Sequence, residues 1–211
     1  MWYVDDSGIP KTGLALYTAI GASPVLTPEV LADWQNMRHR WNHEHSVPVG
    51  FELHATDFLG GRGRPGGLNP PKIERYRMAQ EALSVIGSWP SLDIVTVYAE
   101  EPSHWGTAKR RAYEGLLRRL DRRLAEIGEP AGLIVDGDGT EGLYEEVHRL
   151  VNPRWIPLPA AQAPADTSEW LQMADLVAHA ACQSIARQEA KRMMWGWFGR
   201  YLPKAPAPER S

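Results

Sequence analysis

The sequence predicts a single α/β domain, in which helices cover a mixed β-sheet, and three observations support this. Residues 2–5 and 14–21 are apolar segments separated by a turn, which predicts two paired strands. The β-branched run 92–99 and the apolar run 132–136 predict two more strands. Helical periodicity separates these later strands, and strands that alternate with helices are typical of layered α/β architectures.

The chain length and composition fit one domain. The chain has 211 residues, of which 43% are hydrophobic, so it can bury a sizeable core. We expect the domain to span residues 1–202 and the proline-rich residues 203–211 to form a disordered tail. The only cysteine, Cys182, leaves no internal disulfide and no cysteine zinc cluster. With no signal-like start and no apolar run as long as a membrane span, we expect a cytoplasmic protein.

The remaining elements follow from local signals. Thr27-Pro28-Glu29 combines a capping residue, a first-turn proline and an acid, which predicts a helix to about residue 42. A leucine-rich stripe predicts a helix over residues 107–127. Further predictions are a third strand over 47–53, helices over 72–86, 141–151 and 168–189, and a short strand over 155–158.

The formal net charge of −3 means that any contact with nucleic acid must depend on local basic patches. One candidate is the glycine- and proline-rich loop 60–71, with Arg62 and Arg64. The other, and the better candidate for a nucleic-acid backbone, is the basic face of helix 107–127. The loop could equally be a plain surface loop, and a helix face of this kind is usually just solvated. That face consists of Lys109, Arg110, Arg111, Arg118, Arg119, Arg122 and Arg123.

The nine tryptophans are many for this length. We interpret them mainly as large core residues, and a protein partner surface or base stacking is the alternative. The tryptophans that stand among polar residues are Trp34, Trp41, Trp105, Trp195 and Trp197.

Four acids stand where the surrounding pattern predicts apolar side chains. Asp5 ends the first strand, Glu52 lies within the third, Asp136 ends the strand 132–136, and Asp175 lies in the apolar stripe of the last helix. A buried carboxylate is costly unless it is paired, protonated or bound to a cation. We expect the four acids to form a two-metal site for Mg²⁺ or Mn²⁺. Singly, each acid could instead cap a helix, close a turn or pair with an arginine.

Other polar residues lie near these acids in the sequence. His54 is a candidate to position a water or a phosphate, or else a structural histidine, and Gln172 also lies beside an acid. His179 lies one helical turn after Asp175 and could reach the same site.

Two of the four acids have possible substitutes. Asp138 is close enough in the sequence to replace or assist Asp136. Glu100 or Glu101, at the end of the strand 92–99, could replace Glu52, because the second acid of such a site can come from another strand.

Four short segments resemble motifs of one family, the domain-of-unknown-function 3800 family. Residues 3–8, Tyr-Val-Asp-Asp-Ser-Gly, are similar to its Tyr-x-Asp-Glu-Ser-Gly opening, and residues 52–55 to its Glu-Leu-His-Ala segment. Residues 135–138 resemble its central strand-end acid, and residues 171–178 its Gln-x-Ala-Asp helix. The matches occur in the family's order and span nearly the whole chain. Asp6 departs from the family pattern, which has glutamate there.

The resemblance implies a ribonuclease-H-like mixed sheet flanked by helices and a metal-dependent nuclease that acts on DNA or RNA. Carried over by residue, it implies that Asp5, Glu52, Asp136 and Asp175 are catalytic metal ligands, with His54 as a further catalytic candidate. Two alternatives remain open. One is a catalytically silent protein of the same fold, such as a viral or mobile-element factor that binds a host protein. The other is a metal-dependent hydrolase of small phosphorylated molecules.

Overall fold

The computed structural model describes residues 1–23 and 27–211, and the described part forms one sheet with helices on both faces. The strands are β1 (Trp2–Ile9), β2 (Leu14–Ala22), β3 (Leu92–Glu100), β4 (Leu133–Asp136), β5 (Ala161–Ala163) and β6 (Glu209–Arg210). The α-helices are α1 (Thr27–His45), α2 (Ala55–Gly60), α3 (Lys72–Ser88), α4 (Trp105–Ile127), α5 (Leu143–Val151), α6 (Glu169–Ala186) and α7 (Trp197–Tyr201).

The strand order is β5-β4-β1-β2-β3-β6. Strands β1, β2 and β3 are antiparallel neighbours, while β4 runs parallel to β1 and β5 parallel to β4. An antiparallel trio extended by parallel strands beside its first member agrees with the ribonuclease-H-like sheet that the resemblance implies. The predicted fold class, a mixed sheet flanked by helices in a single domain, is therefore confirmed.

The two faces of the sheet carry separate apolar cores. Trp2 and Val4 of β1 pack in the core formed with α4 and α5. Tyr3 lies on the other face and stacks on Trp170 of α6, with ring centroids 5.5 Å apart. Because successive side chains of a strand alternate between faces, Asp5 lies on the α6 face and Asp6 on the α4 face.

Strand β1 is longer than the sequence predicts. It continues through Asp5 to Ile9 and pairs with β2 over its whole length, and the hairpin turn follows at residues 10–13. Gly13 closes this turn with a φ of +72°, a conformation that suits glycine. Asp5 is thus an interior strand residue, and the prediction that it ends the strand is wrong.

Two predicted strands are absent from the described residues. The segment 47–53 is irregular, because Pro48 cannot donate to a ladder and the carbonyl groups of Val49 and Phe51 instead accept hydrogen bonds from the buried Arg38. The segment 155–158, interrupted by Pro157, is also irregular. The fifth strand lies further along the chain, at Ala161–Ala163.

The C-terminal region forms more structure than the sequence suggests. The last long helix ends at Ala186, where Arg187 takes a left-handed conformation, and α7 follows. The tail 203–211, expected to be disordered, returns to the sheet, where β6 pairs with β3. The ion pair between Arg119 and Glu209 holds it there at 3.0 Å.

The tryptophans are core residues in the structure. Six of the nine are buried and the other three are half-buried, so the described structure shows no fully exposed tryptophan surface. Trp34, Trp41 and Trp197 are almost completely inaccessible, while Trp105 and Trp195 are half-buried. Among the described residues, none of the helices has both the length and the apolar character that crossing a membrane requires.

Candidate active site

Three of the four predicted acids converge on the α6 face of the sheet. The paired residues Val4 of β1 and Val135 of β4 are each followed by an aspartate, so Asp5 and Asp136 stand side by side on adjacent parallel strands. Helix α6 packs over β1 and contributes Asp175 from above. Asp5 and Asp175 are both buried.

The burial and closeness of these acids raise their pKa values. The pKa of Asp5 is raised well above its ordinary value, first by burial and then by the charges of Asp175, Asp6 and Asp136. Burial also raises the pKa of Asp175 to about 6, although His54 and the Ala55 N–H group oppose the shift. Asp5 and Asp175 therefore lose their protons less readily than exposed aspartates do, and the charge of Asp175 further opposes ionisation of Asp5.

The three acids lack cationic partners. Among the residues that the structure describes, none of the three forms an ion pair with lysine or arginine. Asp175 Oδ2 accepts a hydrogen bond of 2.6 Å from the Ala55 N–H group. Burial raises the pKa of Asp136, and the nearby N–H group of Ala165 and the charge of His54 lower it. Backbone N–H groups and the nearby His54, rather than a lysine or arginine, thus offset part of the buried charge.

Glu52, the fourth predicted ligand, is not a buried acid. It is exposed on the irregular segment 47–53, so the expectation of a glutamate inside a strand is wrong. It lies at the rim of an open cleft of about 530 Å³, which also contains Asp136. None of the described residues that line this cleft is basic. Five of them are carboxylates: Glu52, Asp136, Asp138, Glu141 and Asp166.

His54 lies close to the acids. Its side chain is about half exposed, and its Nδ1 atom is 3.7 Å from Asp57 Oδ2. A positive charge on His54 lowers the pKa of both Asp136 and Asp175, so the imidazole is within electrostatic range of the cluster.

The other predicted substitutes have different roles. Asp138 closes its own turn by accepting hydrogen bonds from the Thr140 N–H group at 3.0 Å and from its hydroxyl at 2.6 Å. Glu100 lies on β3, two strands away from β1, and is 3.6 Å from Arg210. Glu101 pairs with Arg111.

Two positioning residues were not recognised as such from the sequence. Gln172 Oε1 accepts a hydrogen bond of 2.9 Å from the Leu53 N–H group, and its Nε2 donates to the Ala165 carbonyl at 3.2 Å. Gln172 therefore fixes to α6 both the segment that carries Glu52 and the loop after β5. Arg38 donates to Gln172 and holds the same segment, and an arginine within the apolar stripe of α1 was the available signal.

The opposite face of the sheet pairs its charges. Asp6 is 3.6 Å from the ammonium of Lys109, which also donates to Glu141 at 3.1 Å. Six of the seven basic residues on α4 form ion pairs with acids. Because α4 packs on the face away from Asp5, its basic side does not border the acid cluster.

The donor chemistry of the cluster suits a divalent cation, although no ready-made metal cage is present. Within residues 1–23 and 27–211, no group of three His, Cys, Asp or Glu side chains is arranged to hold a metal ion. The three acids supply the hard oxygen ligands that Mg²⁺ and Mn²⁺ prefer, and they lack a compensating cation.

Comparisons with known proteins give little further information. No protein-family model matches the sequence, and no curated protein matches it either. One solved structure with a similar shape is the PCNA:RNase HII complex from Archaeoglobus fulgidus, at 10% identity and a TM-score of 0.46. The match covers 92% of this chain and 77% of that chain. A similarity of this strength is too weak to support an argument about function, so the assignment of the fold depends on the strand order of this protein.

Proposed function

We propose that the protein is a divalent-metal-dependent nuclease that hydrolyses phosphodiester bonds of DNA or RNA. The observation that supports this most is the meeting of Asp5, Asp136 and Asp175 from three separate elements on one face, without a cation. Structural acids are normally paired, as on the α4 face, because an unpaired buried carboxylate is costly. Groups whose pKa values are perturbed by burial and by one another are typical of functional sites.

A metal ion fits this donor set by its charge and its ligand preference. Asp5, Asp136 and Asp175 would hold a first ion after side-chain rotation, since the described side chains do not yet form a cage. Glu52 and Asp136, which share the open cleft, would hold a second. When bound, such ions lower the pKa of a water and stabilise the leaving oxygen of a phosphodiester.

The protein's own side chains would perform the remaining tasks. His54, at the edge of the cluster, would orient the attacking water or a phosphate oxygen by hydrogen bonding. Gln172 and Arg38 would keep Glu52 at the rim by fixing the irregular segment to α6. The cleft is open to solvent, so a strand of nucleic acid could approach Glu52 and Asp136 from outside.

The test is a cleavage assay on labelled single-stranded DNA, duplex DNA, RNA and RNA–DNA hybrid, with Mg²⁺, Mn²⁺ or EDTA. We expect cleavage of at least one substrate with metal, no cleavage in EDTA, and loss of cleavage in Asp175→Asn. Asp138→Asn is the matched control, because Asp138 lines the acidic cleft beside Asp136 but accepts its hydrogen bonds from Thr140. The proposal fails if wild type cleaves none of the four substrates, or if Asp175→Asn cleaves as fast as wild type.

A further inference from the structure

A second cavity lies one helical turn along α6 from the acid cluster. It measures about 170 Å³, and its lining includes the cationic side chains Arg62 and Lys191 together with His179, with no acid among the lining residues. Its lining is thus opposite in charge to the acidic cleft. The two sites are linked through α2, because Ala55 bonds to Asp175 while the next residue, Thr56, bonds to His179.

His179 has an unmet hydrogen-bonding capacity. Its side chain is 4% exposed, and Nδ1 lies 3.4 Å from the Thr56 hydroxyl oxygen. Nε2 is buried and has no partner among the described residues. When the Thr56 hydroxyl donates to Nδ1, the imidazole proton lies on Nε2, which leaves a buried N–H donor without an acceptor. Buried donors in folded proteins normally have a partner, and in this tautomer Nε2 lacks its acceptor in the described structure.

Both cationic residues can contribute to the same pocket. In the part of the chain that the structure describes, Lys191 forms no ion pair, and its positive charge acts on His179 and Cys182 of α6. Arg62 contacts Asp57 through Nε at 2.9 Å and Nη2 at 2.7 Å. A guanidinium has five N–H donors, so Arg62 keeps donors on Nη1 for another acceptor.

We propose that this cavity is an oxyanion site that binds a phosphate group. Lys191 and Arg62 would supply positive charge and charge-assisted hydrogen bonds, and His179 Nε2–H would donate the bond that it now lacks. The site requires no metal, because it contains none of the three clustered acids. If the proposed nuclease function is correct, the bound phosphate belongs to a nucleotide beside the scissile bond, because His179 lies about 6 Å along α6 from Asp175.

The experiment measures the binding of inorganic phosphate to the full-length protein in EDTA by calorimetry, for wild type, Lys191→Met and Lys11→Met. Lys11 is the matched control, because it is an exposed lysine in the β1–β2 turn. We expect binding to wild type and Lys11→Met, and about tenfold weaker binding to Lys191→Met, as expected for one lost charge-assisted bond. NMR of the imidazole nitrogens checks the contact directly, because phosphate should shift the Nε2 signal of His179.

The source of the phosphate is tested with two dinucleotides in EDTA, thymidylyl-thymidine with and without a 5′-phosphate. Tighter binding of the phosphorylated form, lost in Lys191→Met, identifies a terminal phosphate. Equal binding of both forms, weakened by Lys191→Met, identifies the internal diester. Absence of phosphate binding, or equal binding by wild type and Lys191→Met, overturns the proposal. Asp5→Asn/Asp175→Asn should still bind phosphate, which separates this inference from the nuclease proposal.

Discussion

Two consecutive residues of β1 lie in opposite electrostatic environments. Asp5, on the α6 face, is buried beside two other acids and has no ion-pair partner in the described structure. Asp6, on the α4 face, lies near Lys109, which lowers the pKa of its carboxyl group against the larger effect of burial. Asp5 and Asp6 are neighbours in β1, but among the described residues only the α4 face places a lysine beside its aspartate. Under the proposed function, a bound cation would balance the charge that the described part of the α6 face leaves without a lysine or arginine.

The largest expected difference is in metal-dependent cleavage by Asp5→Asn and Asp6→Asn. Asp5→Asn should lower kcat/KM on the order of 1,000-fold, because the charge stabilisation given by a bound metal is worth several kcal/mol. Asp6→Asn should stay within about threefold of wild type, since Asp6 faces α4 and not the cluster. Steady-state kinetics on the best substrate of the cleavage assay measure both.

Equal losses in these two variants would contradict the distinction between the faces. Circular dichroism of both proteins is the necessary control, because a folding defect in either would lower activity without any role in metal binding.

A smaller effect is expected on stability without metal. Asp175→Asn should raise the free energy of unfolding by about 2 kcal/mol at pH 7.5 in EDTA, because the substitution removes a carboxylate whose pKa is raised to about 6 by burial. An amide oxygen can still accept the bond from Ala55. Urea unfolding of wild type and variant measures the difference.

The size of this effect depends on pH in a defined way. As the pH rises from about 4 to about 6, the unfolded state loses its Asp175 proton before the folded state does, so wild type loses stability relative to the variant. Below pH 4 the two proteins should be about equally stable. A variant that is less stable than wild type at pH 7.5 would show that the Asp175 charge is already compensated.

The smallest effect is expected on the α4 face. Lys109→Met should destabilise the fold by about 1 kcal/mol, because it leaves Asp6 and Glu141 facing each other without their shared cation. Lys11→Met, at an exposed turn, should change stability by less than about 0.5 kcal/mol. Thermal unfolding of the three proteins tests this, and no loss in Lys109→Met would mean that the face is not stabilised by pairing.

The sequence was most informative where local pattern determines structure. The strands that carry Asp5 and Asp136 follow from apolar runs that each reach an acid, and the stripe of α6 identifies Asp175 as an acid on a buried face. Local pattern failed for Glu52, because Pro48 and contacts from Arg38 and Gln172 shape that segment. Leu53 and Gln172 are 119 residues apart in the chain, and such a contact leaves no periodic signal.

The structure of the C-terminal tail and the cavity beside His179 could not be predicted for the same reason, because both depend on residues that are far apart in the chain. Strand β6 is two residues long and depends on β3 and α4 for its place, so its own composition predicts only a polar tail. The cavity combines Arg62 from a loop, His179 from α6 and Lys191 from the segment after it. No single stretch of sequence contains enough of either feature to predict it.

The central claim, that the unpaired acids of the α6 face hold divalent cations, is tested most directly by Mn²⁺ binding. Calorimetry at pH 7.5 should compare wild type, Asp5→Asn/Asp175→Asn and Asp6→Asn. We predict binding to wild type and to Asp6→Asn, and none to the double variant. Failure of wild type to bind Mn²⁺ at millimolar concentration, or undiminished binding by the double variant, would contradict the claim.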